Sequence, residues 1–295
     1  MTELADASRH CQTLAREHYE NFPTASLLLS SRVRPAVAAI YAFARTADDF
    51  ADEPEYAGSR RELLDSWERS LDAALDDRPD GPVMAALAQS VRQFDLPVQA
   101  LRDLLEAFRS DSDNPVHPDF DSLLRYSEKS ANPVGRLVLA LHDIRDPGSL
   151  AASDAICTGL QLTNFWQDVA VDLPRGRSYL PQAELDRFGL SLDGVGTDGA
   201  TPAYREMMAS LIERTRMVFA GGWPLARETR GRLGLWLRCV WAGGHAILGR
   251  VEEVEGDVFT QRPKLSTLDR IRLAAPAVVG LTRPRPPARA MQALT

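Results

Sequence analysis

The sequence has few cysteines and no long apolar run. Its three cysteines, Cys11, Cys157 and Cys239, are scattered and never in CxxC spacing. This excludes a disulfide framework and a cysteine-based zinc site, and is typical of a reducing compartment. No apolar run approaches the ~18–20 residues of a membrane-spanning helix, and residues 1–12 lack the apolar segment of a secretory signal. We therefore expect a cytoplasmic protein, and peripheral contact with the inner membrane face is compatible with this composition.

Positive charge is also scarce. The 295 residues include 34 lysines and arginines against 41 acidic residues, a net charge of −7, and no basic tract. We therefore expect no nucleic-acid partner, and anionic substrates would be repelled unless a metal ion or local arginines reverse the sign. A GxGxxG pattern at residues 194–199 has no strand pattern before it and no βαβ context. It indicates a loop, and we predict no NADPH site.

Alternating strand patterns are missing, and helical periodicity runs through most of the chain. The pattern predicts an all-α protein, with one domain over residues 1–283 and a Pro/Arg-rich, disordered tail over 284–295. We expect a disturbance near Pro133 in one long helix. The predicted helices cover residues 35–51, 60–75, 83–94, 98–108, 120–141, 150–171, 204–219, 224–251 and 267–273.

Two acidic pairs interrupt apolar helical segments. Asp48 and Asp52 form one pair, and Asp168 and Asp172 form the other. Residues four apart lie on one helix face, where two like charges destabilise the helix unless a counterion is present. A single such pair more often marks a solvated face, but both of these follow apolar runs that predict buried helices, where unpaired carboxylates are costly. Because carboxylate oxygens suit magnesium, the two pairs together predict magnesium sites.

Polar neighbours accompany both pairs. Arg45 lies three residues before Asp48, where it could bind a phosphate oxygen, although an ion pair with an aspartate is the alternative. Gln161 and Asn164 extend the face of the second pair, and Arg177 follows it as a candidate phosphate ligand. For Asn164 the alternative is a hydrogen-bonded core amide.

Two tyrosines are further candidates near the predicted substrate. The ring faces of Tyr126 and Tyr179 could stabilise a carbocation or help to position water. The alternative for each is ordinary packing, with the ring buried and the hydroxyl paired. Together with the acidic pairs and arginines, they describe a magnesium–diphosphate site beside an apolar pocket.

Four stretches carry a family resemblance: HYENFPTASLLL (18–29), AIYAFARTADDFADE (39–53), YSEKSANPVGRL (126–137) and QLTNFWQDVAVDLPRGRSYLP (161–181). On these motifs the chain resembles the squalene/phytoene synthase family. The resemblance implies the all-α isoprenoid synthase fold, a helical bundle around a central cavity. It also implies that the four paired aspartates bind Mg²⁺. By the same match, the residues that contact substrate or diphosphate are His18, Tyr41, Arg45, Gln161 and Asn164.

One position bears on the branch of the family. Condensing members have an arginine immediately before the first aspartate of the second motif, and this chain has Gln167 there. The motifs are similar to those of bacterial members that convert presqualene diphosphate to hydroxysqualene in hopanoid and squalene biosynthesis. That resemblance implies loss of diphosphate, cation rearrangement and water capture, without a reductant. It also implies coupling to a paralogue that makes presqualene diphosphate and to a reductase that completes squalene.

Two other functions stay open at the level of sequence. One is a head-to-head prenyl transferase that condenses two prenyl diphosphates to presqualene diphosphate or phytoene. The other is a non-enzymatic assembly factor, for which eroded aspartate motifs would be expected, whereas both motifs here are complete. On the favoured function, the predicted catalytic residues are the four paired aspartates, Arg45 and Tyr41.

Overall fold

The computed structural model describes residues 2–17, 28–260, 262–266 and 269, and in these ranges it contains α-helices and no strand. The prediction of an all-α chain is confirmed for these residues. The GxGxxG pattern lies in a loop with an isolated bridge between Gly196 and Gly199. The helices are α1 (Thr2–Glu17), α2 (Arg34–Asp52), α3 (Arg60–Leu75), α4 (Gly81–Phe94), α5 (Val98–Asp111), α6 (Phe120–Ser130), α7 (Asn132–Ala140), α8 (Pro147–Asp172), α9 (Gln182–Arg187), α10 (Pro202–Glu228) and α11 (Gly231–Glu253).

The described residues group into two compact units, one within residues 1–113 and 129–150 and the other within residues 114–128 and 151–295. Helix α2 is the central element of the first unit, because it packs against α1, α3, α4 and α5. Its apolar face is fully buried at Ala39, Phe43 and Ala47. The single domain over residues 1–283 stays a prediction.

Glycines let three helices of the second unit approach closely around Phe219, which is fully buried on α10. A Cβ atom added at Gly159 on α8, or at Gly244 on α11, would lie 2.7 Å from the Phe219 ring. At Gly222 on α10, an added Cβ would lie 2.3 Å from Ile156 on α8. Such separations are shorter than van der Waals contact. The packing of α8, α10 and α11 therefore requires residues without a side chain at these three positions.

Two helix boundaries were predicted at prolines, and the structure has only one of them. The expected disturbance near Pro133 is a break, because α6 ends at Ser130 and α7 begins at Asn132. Proline lacks an amide hydrogen and its ring clashes with the carbonyl four residues earlier. The prediction that a new helix begins at Pro224 is wrong, since α10 continues through it to Glu228. The chain turns instead at Thr229, which is extended, and Gly231, which has a positive φ.

The helix predicted over 267–273 and the tail over 284–295 fall outside the described residues, apart from Asp269. Helix α1 and the short α9 were not predicted. Among the described helices, none combines the length and the apolar character needed to cross a membrane.

Candidate functional site

The first acidic pair lies on the polar face of α2, which belongs to the first unit. The Trp67 indole donates a hydrogen bond to the Phe43 carbonyl at 3.2 Å and its ring stacks on Phe43, so the apolar face of α2 is fixed. The opposite face carries four side chains at helical spacing, all partly accessible. They are Tyr41, Arg45, Asp48 and Asp52.

Arg45 lies among the carboxylates of this face. Its guanidinium is 3.2 Å from Asp48 Oδ2, 2.5 Å from Asp49 Oδ1 and 3.9 Å from Glu53 Oε1. The ion pair that the sequence left open for Arg45 is therefore present. One guanidinium does not neutralise three carboxylates, so the face keeps a negative charge that attracts cations.

The expectation of buried, unpaired carboxylates is wrong for this face. The Asp48 side chain is 39% exposed and paired with Arg45. A carboxylate that is partly accessible remains available to an incoming metal ion at a lower desolvation cost than a buried one. For Tyr41, burial raises the pKa of the hydroxyl; Arg45 opposes this effect, and Asp48 and Asp49 add to it. The hydroxyl therefore stays protonated at neutral pH and serves as a hydrogen-bond donor.

The second acidic pair lies at the end of α8 in the second unit. On this helix Gln161, Asp168 and Asp172 are partly accessible and Asn164 is exposed. The buried side between them carries Leu162, Phe165, Trp166 and Val169. The core-amide alternative for Asn164 is therefore wrong. The buried side is fixed by Trp166, whose indole donates to Thr215 Oγ1 at 2.8 Å. These four side chains form one polar stripe along α8.

Arginines pair with the carboxylates of this stripe. Arg262 donates to both oxygens of Asp168, to Oδ2 at 3.0 Å. Arg177 approaches Asp172 Oδ1 at 3.8 Å, and its amide donates to the Asp172 carbonyl at 3.1 Å. Sequence reasoning identified Arg177 but missed Arg262, which lies 94 residues after its partner. Gln167, immediately before Asp168, is buried and donates to the Pro263 carbonyl.

Gln167 and Asp168 thus hold neighbouring residues of one segment, Pro263 and Arg262. From the sequence, Gln167 stood out only because it departs from the arginine expected of condensing members. In the structure its amide binds backbone, and the positive charge next to Asp168 comes from Arg262.

Tyr126 and Tyr179 belong to an aromatic cluster beside this stripe. Tyr179 stacks on Phe165 with ring centroids 3.8 Å apart and an interplanar angle of 9°, and Tyr126 lies 5.9 Å from Tyr179. His117 completes the cluster, with its ring 5.5 Å from each tyrosine. Phe165 precedes Asp168 by three residues on α8, so the cluster adjoins the polar stripe. Sequence reasoning missed His117, because a histidine in a proline-flanked loop carries no distinctive signal.

The donor set fits a magnesium ion that is only partly held by protein. Each polar face offers two carboxylates four residues apart, and oxygen ligands of this kind suit Mg²⁺. In the described part of the chain, no three His, Cys, Asp or Glu side chains cluster as a ready-made metal site. Magnesium keeps water and phosphate oxygens in its shell, so a diphosphate would complete what the carboxylates begin. His18, the remaining predicted substrate contact, lies outside the described residues.

The squalene/phytoene synthase family profile matches residues 15–269. The chain therefore belongs to the squalene/phytoene synthase family, whose substrates are isoprenoid diphosphates, and the predictions of family and of enzyme class are confirmed. Within the family it is a homologue of hydroxysqualene synthase. That enzyme from Rhodopseudomonas palustris is 35% identical over 253 residues, which cover 85% of this chain and 85% of the relative.

Phytoene synthases are also among the relatives. Phytoene synthase 1 of Arabidopsis thaliana is 31% identical over 282 residues, which cover 91% of this chain and 65% of that enzyme. Among solved structures, squalene synthase HpnC from Alicyclobacillus acidocaldarius superposes with a TM-score of 0.82 and 35% identity, over 86% of this chain and 96% of that one. A dehydrosqualene synthase superposes with a TM-score of 0.85 at 23% identity, over 95% of this chain and 98% of that one. The predicted isoprenoid synthase fold is confirmed.

Proposed function

We propose that this protein is a hydroxysqualene synthase, which converts presqualene diphosphate and water to hydroxysqualene and diphosphate. The observation that carries the proposal is the pair of complete acidic faces, each with a paired arginine, in a chain that is 35% identical to a hydroxysqualene synthase. The reaction consumes no reductant, so it calls for no NADPH.

We assign magnesium binding to Asp48 and Asp52 on α2 and to Asp168 and Asp172 on α8. When bound, magnesium supplies positive charge that stabilises the departing diphosphate. Arg45 and Arg262 orient carboxylates of both faces before substrate arrives, because each already pairs with an aspartate.

Further residues of the two faces bind and orient the substrate. Arg45, Arg177 and Arg262 offer guanidinium groups to the diphosphate, a geometry that suits phosphate oxygens. Tyr41 donates from its protonated hydroxyl, and the amides on α8 offer both donors and acceptors. We include in this substrate-binding set the predicted residues His18, Tyr41, Gln161, Asn164, Tyr126 and Tyr179.

The aromatic cluster stabilises the carbocation after diphosphate leaves. The faces of Tyr126 and Tyr179 carry negative quadrupole density that attracts a cation lacking hydrogen-bond donors. The rings also limit water near the cation, which suppresses premature capture.

The finer cellular setting is part of the same proposal. We infer a cytoplasmic enzyme with peripheral contact at the inner membrane face, because its substrate and product are poorly soluble in water. We also propose functional coupling to a presqualene diphosphate synthase upstream and to a squalene-forming reductase downstream, in hopanoid or squalene biosynthesis.

The test is a paired assay with purified protein and magnesium, without NADPH. One reaction receives farnesyl diphosphate and the other presqualene diphosphate, and mass spectrometry identifies the products. Hydroxysqualene formed only from presqualene diphosphate is the expected result. Presqualene diphosphate or phytoene formed by condensation would support the second candidate, a head-to-head prenyl transferase. The 31% identity to a phytoene synthase favours testing this candidate.

A separate measurement of thermal stability distinguishes both enzymes from a non-enzymatic assembly factor. A ligand that binds only the folded state raises the melting temperature. Magnesium with inorganic diphosphate should therefore raise it for either enzyme, and the absence of a shift at saturating ligand would contradict both.

A further inference from the structure

His117 is a buried histidine with an unused ring nitrogen. The residue lies in the loop between α5 and α6 and is 5% exposed. Its Nε2 atom is buried and has no hydrogen-bond partner among the residues that the structure describes. Leaving a buried polar atom unpaired costs about 1–3 kcal/mol, so a histidine here calls for an explanation that an apolar residue would not.

The ring is held in place by its surroundings. The Gln182 amide donates to the His117 carbonyl at 2.9 Å, and the Ala183 amide donates to the Pro118 carbonyl at 2.9 Å. The loop is thereby tied to the start of α9, three residues after Tyr179. These bonds fix the backbone of the loop, and the two tyrosine rings pack against the imidazole. Binding a ligand at this ring therefore costs little further conformational entropy.

The imidazole lies within the aromatic cluster that adjoins the polar stripe. Its ring is 5.5 Å from Tyr126, at 71°, and 5.5 Å from Tyr179, at 27°. Phe165 on α8 stacks against the Tyr179 ring. A carbocation stabilised by these tyrosines would therefore form within reach of a nitrogen base.

Burial also fixes the charge of the ring. Desolvation lowers the pKa of His117, so the imidazole is neutral at physiological pH. In the tautomer with the proton on Nδ1, the Nε2 lone pair is free to accept a hydrogen bond. A water molecule bound there would point its oxygen lone pair away from the ring.

We propose that Nε2 of His117 binds the water that captures the carbocation and accepts the proton which that water loses. This inference rests on the proposed function. In the step, a water lone pair forms the new carbon–oxygen bond, one water O–H bond breaks, and its proton moves to Nε2. Nothing is oxidised or reduced, and the imidazolium returns the proton to solvent as the product leaves.

The role explains how one cation yields one product. A carbocation can also lose a proton from carbon, which gives a hydrocarbon. An oxonium ion is far more acidic than imidazolium, so even a histidine with a lowered pKa takes the proton and makes water capture irreversible. His117 thus selects alcohol over hydrocarbon and has no part in ionisation.

The test compares His117→Phe with His142→Phe, using presqualene diphosphate and magnesium. Phenylalanine keeps the aromatic packing and removes the base. His142 is a matched control, because its Nδ1 already has the Val138 carbonyl as a partner at 2.9 Å. Diphosphate release and the alcohol-to-hydrocarbon ratio are measured separately, since a merely structural role would lower both products together.

We expect His117→Phe to lower the alcohol-to-hydrocarbon ratio by about 10²-fold, the lower end of what a general acid–base group contributes, while diphosphate release stays within about 3-fold. His142→Phe should leave the ratio unchanged. His117→Gln, which can bind water but cannot hold the proton, should give an intermediate ratio and covers the case in which the phenylalanine variant folds poorly.

Two results overturn the inference in distinguishable ways. If the unmodified protein makes hydroxysqualene and both His117 variants keep its product ratio, the proton acceptor lies elsewhere and the proposed function stands. If the unmodified protein makes no alcohol from presqualene diphosphate, the proposed function and the role of His117 both fail.

Discussion

Two adjacent glycines on α11 provide a sharp test of the packing around Phe219. At Gly243 an added Cβ would meet no other described part of the protein within 4 Å, apart from its own helix backbone and chain neighbours. At Gly244 that atom would lie 2.5 Å from Leu160 Cδ2 and 2.7 Å from Phe219 Cζ. Replacing glycine by alanine inside a helix stabilises it by about 1 kcal/mol. Gly243→Ala should show that gain in full.

Gly244→Ala adds the cost of overpacking. Carbon atoms normally approach to about 3.5–4.0 Å, so the new methyl group overlaps both neighbours by roughly 1 Å. Insertions of this kind cost about 1–3 kcal/mol, which leaves the free energies of unfolding of the two alanine variants about 1–3 kcal/mol apart. The Leu160 methyl can turn away more easily than the fully buried Phe219 ring, so most of the cost falls on that ring.

Thermal unfolding followed by circular dichroism measures the difference. A separation of a few degrees between the two variants is expected, since about 1 kcal/mol shifts the midpoint by roughly 2–4 °C in a large domain. Phe219→Leu should make Gly244→Ala better tolerated and leave the effect of Gly243→Ala unchanged, because residues in contact are coupled energetically. Equal stability of the two single alanine variants would refute the account of the helix approach.

Three further predictions concern the aspartates, the Gln167 contact and the pH dependence of stability. Asp48→Asn and Asp168→Asn should each lower turnover by at least about 10²-fold, since charge stabilisation of the leaving group is lost, with an unchanged circular dichroism spectrum; near-normal turnover in both would contradict the metal assignment. Gln167→Leu should free the Pro263 carbonyl and speed amide hydrogen exchange over residues 262–266, measured against α8; unchanged exchange would mean that this anchor is unimportant. Burial, with the Arg216 charge as a smaller cause, lowers the pKa of His245 to about 4. The unfolded chain therefore binds the proton more readily, and between pH 7.5 and pH 5 the stability contribution of about 2 kcal/mol is lost; His245→Phe should flatten that part of the profile of unfolding free energy against pH, and an unaltered profile would exclude His245 as its source.

The sequence predicted the helices best where local rules decide. The predicted limits of α3 coincide with those observed, because an apolar stripe and flanking polar residues leave little choice. The break at Pro133 follows from covalent geometry. At Pro224 the same rule misled, since packing of α10 against α8 and α11 outweighs one lost hydrogen bond.

In the candidate site, too, the sequence reveals the local groups of residues and not the contacts between distant ones. Asp48 with Arg45 and the polar stripe of α8 are readable because their members are three or four residues apart on one helix. Arg262 and His117 are not, since each meets its neighbours only after the chain has folded back on itself. The role of Gln167 was likewise hidden, because its partner is a backbone carbonyl 96 residues away, and a carbonyl has no side-chain identity to recognise.

The paired contacts between the end of α8 and residues 262–263 also bear on how the chain folds. They join positions 94 and 96 residues apart, so closing that loop costs more chain entropy than any contact within α8. Helix α8 can form early, but Asp168 gains its guanidinium partner only when Arg262 has been synthesised and its segment has docked. During translation the half-made protein would carry an acidic helix end without its counter-charge. Docking of this distant segment thus supplies part of the charge balance of the second polar face.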